Sequence, residues 1–409
     1  LPAAGRHHSK TKFLVILTNH IPPRHLGVAR CRKYIASLIY AILIPGAGCR
    51  QSYMPPAQKT NLNILVIDGI INTGTGAASS FTLSRTQKIG DSLGAYAPEL
   101  QAQITIVGSA GDTWSLQEQG DGVYTSSLLS LNPTEKYQLI IHAADGSRYS
   151  SDSVTPTTSP PIDSLSWDQQ ADAGNVTINA NTHDPANNSH YYRWIFTETW
   201  EYQAELTGEL YVSNGLLYYV DSTTQITSCW ESDQSTNILL ANTTGLNQDL
   251  VSQAPLTSIP PGDRKISTRY SMLASQYVLT ASAYQYWLTL QKNTQNLGSL
   301  FDPQPSQLTG NYHCLSNPGQ PVIGFLSAGR ITTQRLFIQR SQVNNWDTTA
   351  PNCPIDSIPQ NPTNYQIYTD NNPNVDPYYL TTTGYIVLSS KACLDCRLQG
   401  GTTKKPDFW

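Results

Sequence analysis

The stretch RYSMLASQYVLTASAYQYWLTLQKNTQNLGSLFDPQPSQLTGN, Arg269 to Asn311, decides the fold. Its first third, Tyr270 to Leu279, reads as an aromatic strand. Thr280 then offers a hydroxyl that can accept from an unpaired amide of a helical first turn. Tyr284, Trp287, Leu288 and Gln291 follow at three- and four-residue spacing, one apolar stripe with a polar edge. Gly298 suits a left-handed helix end, and Pro303 and Pro305 stop any continuation. The spacing predicts a helix over 281–297 packed across a sheet. Beyond it, Phe301, Asp302, Pro303, Gln304 and Pro305 form a proline-stiffened loop. An aromatic on a stiff loop suits partner contact, although a structural plug is the plainer reading of the same loop.

Outward from this helix the chain reads as strands and turns. Leu62–Ile71, Ser79–Gln87, Gln101–Gly108, Thr113–Gln119, Val123–Ser127, Glu135–Ala143 and Arg148–Ser151 make seven short strands. Turns such as Gly120-Asp121-Gly122 and Asp145-Gly146 separate them. That density predicts an immunoglobulin-like β-sandwich over 62–153. Ser151–Ser164, with Pro156, Pro160 and Pro161, reads as a semi-rigid linker, its core at 154–164. Residues 165–409 then form a larger β-rich domain. Its expected long strands are VTINANT, YYRWIFTETWEY, GLLYYV, PVIGFLSAG and TTQRLFIQR. The expected class is mainly β, an N-terminal sandwich followed by this larger domain with one principal α-helix.

The first 48 residues read as a presegment. They hold seven Lys and Arg and no acid. A basic cluster at Arg30, Arg32 and Lys33 precedes the apolar run Tyr34–Ile44, which is of signal-peptide length and too short to span a bilayer. Gly46-Ala47-Gly48-Cys49 resembles a bacterial lipobox, which makes Cys49 the lipidation candidate and 49–61 a tether. Losing seven of 25 Lys and Arg while keeping all 29 Asp and Glu leaves a net charge of about −11. So acidic a chain is not expected to bind nucleic acid through phosphates. Membrane attachment is expected through lipid.

Of seven cysteines, Cys31 falls in the presegment and Cys49 is the lipid candidate. Five remain, an odd number, in a compartment where disulfides persist. Cys393-Leu394-Asp395-Cys396 has the spacing of half a zinc ribbon, a redox pair or a small-loop disulfide. No further zinc ligands stand nearby and no helix follows, so a Cys393–Cys396 disulfide is expected, with Cys229–Cys353 as the next pair. Cys314 is the expected free thiol.

The remaining motifs point away from catalysis. Gly74-Thr75-Gly76-Ala77-Ala78-Ser79 lacks a third glycine and joins two strands, so it reads as a hairpin turn. His183, Asp184 and His190 could meet at a metal but sit in the polar loop NTHDPANNSH. Glu198 and Glu201 could serve glycoside chemistry, yet odd spacing on a strand puts them on opposite faces. No nucleophile elbow or phosphate loop occurs. No enzyme activity, cofactor or metal is expected.

Several stretches together resemble a known family: LVIDGIINTG with FTLSRTQ, GSRYSSDSVT with PPIDSLSW, HYYRWIFTETWEY, the helix with FDPQPS, and CLDCRLQGGTTKKPDFW. They resemble the Bacteroidota outer-membrane lipoproteins defined by domain of unknown function 4249, over roughly residues 49–409. The resemblance implies an outer-membrane, lipid-anchored protein that assists nutrient uptake beside a TonB-dependent receptor, and it brings no catalytic residues. It assigns no membrane face, because Arg50-Gln51-Ser52-Tyr53 stand where surface-exposed lipoproteins of these bacteria often carry acids. A non-catalytic binding accessory of such a transporter is the expected function. The alternative is a structural or adhesive surface module, and a hydrolase is the weakest of the three.

Overall fold

The computed structural model describes residues 63–87, 97–214, 216–221, 224, 226, 228–295, 308–348 and 352–409. Residues Leu62–Trp409 cluster as one unit. The chain is mainly β, as its patterning requires. Eight strands open it: Leu65–Asn72 (β1), Ser80–Arg85 (β2), Ala97–Pro98 (β3), Gln103–Gly108 (β4), Thr113–Gly120 (β5), Val123–Ser126 (β6), Tyr137–His142 (β7) and Arg148–Ser151 (β8). Alternation drives them inward. Leu65, Ile67, Phe81, Leu83, Tyr137, Leu139 and Ile141 are all buried, while their neighbours in sequence face outward.

These strands form one continuous ladder rather than two separate sheets. Two late segments close its ends: Tyr312–Cys314 (β18) pairs antiparallel with β8, and Ser327–Gly329 (β19) runs parallel to β1. The order is β18-β8-β7-β4-β5-β6-β2-β1-β19, with β3 on β2. Arg85 on β2 donates to the Tyr149 hydroxyl on β8 at 3.1 Å, although four strands separate them in the ladder. The ladder therefore curls until its halves face each other across one core. Expected strand 321–329 shortens to β19 and joins this first sandwich, not the larger domain. Its backbone is drawn there by Ile323, which exchanges hydrogen bonds with Leu65 and Ile67. Gly310 and Gly324 make that return possible, since a Cβ on Gly310 would collide with the Gly324 carbonyl.

A second sandwich follows. Ile162–Gln169 (β9), Val176–His183 (β10) and Leu250–Ile259 (β16) form one sheet in the order β16-β10-β9. The other holds Tyr191–Gln203 (β11), Ser228–Gln234 (β14), Leu239–Asn242 (β15), Arg269–Val278 (β17) and Thr332–Gln339 (β20), in the order β14-β11-β17-β20 with β15 on β11. Tyr192, Trp194, Phe196, Trp200 and Tyr202 of β11 meet Val176, Ile178, Ala180 and Met272 in the core between them. On the opposite face of β11 lies the helix Ala281–Gln295 (α1), where the sequence places it; residues 296 and 297 lie outside the described residues. Thr280 Oγ1 accepts from the Ala283 amide at 3.2 Å. Tyr284 and Trp287 are buried against Tyr191, Ile238 and Leu240. The Arg193 guanidinium lies 3.5 Å from the Trp287 ring centre.

The Pro-rich stretch 154–164 is a bonded seam, which a semi-rigid linker would not be. Val154 bridges Tyr137, and Thr157 bridges Gly329. Thr157 Oγ1 donates to Val278 O, Ser159 Oγ accepts from the Val278 amide, and Pro160 O accepts from Gln276 Nε2 and Thr332 Oγ1. Prolines bring no amide donor, so at those positions the seam bonds through its carbonyls, and Thr157 and Ser159 supply the side-chain contacts.

The last part is a small lobe. Ile355–Pro359 (β21), Val375–Leu380 (β22) and Tyr385–Ser390 (β23) pair in the order β21-β23-β22. Pro362–Asn371 (α2) covers them, and the short helix Lys391–Leu394 (α3) follows. A hairpin from much earlier in the chain, Leu210–Ser213 (β12) with Leu216–Tyr219 (β13), packs Leu210 and Leu217 onto Ile358, Tyr365, Ile386 and Leu388 of this lobe.

Candidate cleft between the tyrosine hairpin and the C-terminal lobe

A cleft of about 1030 Å³ lies where the β12–β13 hairpin meets the lobe. Its volume is at the upper end for small-ligand sites. One wall is β12, with Tyr211 and Val212. The other is α2 and β22, with Gln366, Thr369, Asp370 and Asp376. Tyr211 stands opposite Tyr218 in the hairpin, and their rings stack at 5.5 Å and 28°. Leu216, Tyr218 and Tyr219 are exposed.

The floor is the turn Cys393-Leu394-Asp395-Cys396 with Arg397. Here the disulfides differ from the expected pairing. Cys396 bonds Cys229 of β14, and Cys353 bonds Cys393. Cys393 ends in α3 while Cys396 opens the next, 3₁₀ turn, so neighbours in sequence reach opposite partners. The same four cysteines are oxidised, and Cys314 is free and buried. The CLDC turn thus straps the second sandwich to the lobe, and the Leu206 amide adds a hydrogen bond to Cys393 O at 2.9 Å.

Charges in the cleft are largely paired. Arg397 donates to both carboxylate oxygens of Asp395, its shortest contact 2.7 Å from Nη2. Burial opposes ionisation of Asp395, but these bonds hold its carboxyl below the usual range. Lys391 Nζ stands 3.9 Å from Asp376. Burial raises the Asp376 carboxyl despite Lys391, with Asp395 adding to the rise. Burial, assisted by Asp376, pushes the Tyr365 hydroxyl up to about 12.

The residues singled out in the sequence do not converge. Cys49 and the Phe301–Pro305 loop lie outside the described residues. His183 pairs through Nδ1 with Asp163 at 2.7 Å, which raises its pKa. Asp184 instead binds the amides of Ala186, Asn188 and Ser189, as a loop-capping carboxylate does. No group of three metal-type ligands occurs among the described residues. Glu198 faces the core and accepts from Lys265 and Tyr270. Glu201 faces the other way and accepts from the Trp409 indole at 3.0 Å. The Gly74–Ser79 loop is the β1–β2 turn. Sequence reading passed over Tyr211, Tyr218, Asp376, Lys391 and Arg397. One signal was available: Asn214-Gly215 between two apolar runs is a strong hairpin signature, and Asn214 has φ +51°.

The chain belongs to the family described as Domain of unknown function (DUF4249), whose model matches residues 50–335. The hairpin wall of the cleft lies inside that match and the lobe lies beyond it. No curated protein matches the chain. Among solved structures, a mutant Salmonella alpha-2-macroglobulin is 11% identical at TM-score 0.16, over 73% of this chain and 15% of that one. The Yersinia pseudotuberculosis adhesin InvE is 11% identical at TM-score 0.14, over 51% of this chain and 54% of that one. The BSP domain of a biofilm associated protein is 7% identical at TM-score 0.16, over 68% and 59%. This chain therefore spans less than two thirds of each. Scores this low define no shared fold.

Proposed function

We propose that this protein is a non-catalytic binding accessory, lipid-anchored through Cys49 at the bacterial outer membrane and serving a TonB-dependent nutrient transporter. One observation supports the binding role: an open cleft of about 1030 Å³ whose lobe is fastened to the second sandwich by Cys229–Cys396 and braced within itself by Cys353–Cys393. A preset cavity spends less binding energy on ordering itself. The anchor is read from Gly46-Ala47-Gly48-Cys49, which resembles a lipobox. Two or three acyl chains suffice where one holds only marginally.

The test is co-purification from detergent-solubilised membranes of the native host. An accessory brings an outer-membrane barrel with it, whereas a structural or adhesive module comes alone. Cys49→Ser should move the protein to the soluble fraction. Persistence with membranes would reject the anchor.

A further inference from the structure

We propose that the cleft binds an uncharged carbohydrate, a short oligosaccharide held by its hydroxyls and seated on the Tyr211–Tyr218 stack. This rests on the reading of the cleft as a binding site and adds the class of its ligand. Three observations carry it.

The first is charge. Both cations of the lining, Lys391 and Arg397, face a carboxylate, at 3.9 and 2.7 Å. The lining holds three carboxylates, Asp370, Asp376 and Asp395, against these two cations, a balance that disfavours an anionic ligand. The second is hydrogen bonding. Asp370 and the Gln366 carboxamide project from the exposed side of α2 into the lining, and neither side chain has a protein partner among the described residues. A carboxylate accepts only and a carboxamide both donates and accepts, the pair of groups that vicinal hydroxyls satisfy. The third is the flat apolar surface. Tyr211 is among the residues lining the cleft, and its ring stacks with that of Tyr218 at 5.5 Å; an aromatic ring at the rim offers flat apolar surface to the C–H side of a sugar ring. An extended peptide fits less well. It would need a strand edge to pair with, but the edges flanking the cleft, β12 and β22, already adjoin through Glu209 N to Tyr378 O at 2.7 Å.

The experiment is calorimetric titration of the intact protein with neutral tetra- to hexasaccharides of the gluco, manno and xylo series. An oligogalacturonate set and a pool of tri- to hexapeptides run in parallel. At least one neutral series should bind. Tyr211→Ala should weaken it about tenfold, the scale of losing one stacking contact of roughly 1.4 kcal/mol, while Tyr211→Phe stays within about threefold. Unchanged melting temperatures certify both variants as folded. Tighter binding of the uronate set, or of peptides lost with Tyr211→Ala, overturns the ligand class and leaves the cleft a binding site. If no probe binds and Tyr211→Ala still recovers a barrel as the wild type does, both the ligand class and the cleft's role are wrong.

Discussion

Gln276 has no exposed surface, and both ends of its carboxamide are used. Its oxygen accepts from the Trp194 indole at 2.9 Å, and its nitrogen donates to Pro160 O at 3.0 Å and Thr182 Oγ1 at 3.1 Å. One side chain thus links both sheets of the second sandwich to the seam. Gln276→Ala should cost more than about 2 kcal/mol in urea unfolding, because each buried group left unpaired costs roughly 1–3 kcal/mol. A loss under about 1 kcal/mol would mean that water replaces the amide. Nothing in the local sequence marks Gln276, since a glutamine on an aromatic strand looks like an outward position. Asp376 is a second case. Burial raises its folded carboxyl above the ordinary 3.8. Between those two values the fold keeps a proton that the unfolded chain has released, so stability falls as pH rises through the window and stays lower above it. Asp376→Asn should therefore raise the urea midpoint at pH 7, and the gain should vanish below pH 3.8. An equal gain at both pH values would point to a cause other than ionisation.

At the scale of elements, α1 was the most legible part of the chain, because its cap and its apolar stripe are both local. Trp287→Ala should destabilise by roughly 3–5 kcal/mol, the cost of deleting a buried indole. The Arg193 contact adds to this, since the guanidinium is only 12% exposed and loses its aromatic partner. Chemical denaturation measures the loss, and a value below about 1 kcal/mol would show the stripe to be unimportant. Disulfide pairing was less legible. Spacing within CLDC is a local fact, whereas partner choice depends on where β14 and residue 353 arrive. Non-reducing peptide mapping should find the Cys393–Cys396 segment cross-linked to two others, one with Cys229 and one with Cys353. Cleavage between Cys393 and Cys396 should then release two separate linked pairs; an intact local loop would reject the connectivity. In the chain-entropy picture closures of 167 and 40 residues contribute roughly 4–5 kcal/mol each, so reduction should lower the melting temperature markedly.

The molecule as a whole departs from two beads on a linker. Strand periodicity announced the seven strands of the first sandwich, since each carries its own alternation. It could not announce β18 and β19, which are three residues long and gain meaning only from edges already built by β8 and β1. A segment more than 150 residues downstream closes both ends of that ladder, so the first sandwich depends on the second to deliver it. Residues 62–153 expressed alone would lack both closing strands. They would also lose Tyr312 and Leu326 from the core and leave two open edges, which invite pairing between chains. We expect that fragment to be insoluble or to unfold without cooperativity, while residues 62–409 melt in one transition. Adding a peptide spanning 308–330 should restore dispersed amide signals to whatever fragment stays soluble. A fragment that melts cooperatively and stays monomeric without the peptide would show the sandwich to be autonomous, with the returning segment an accessory to it.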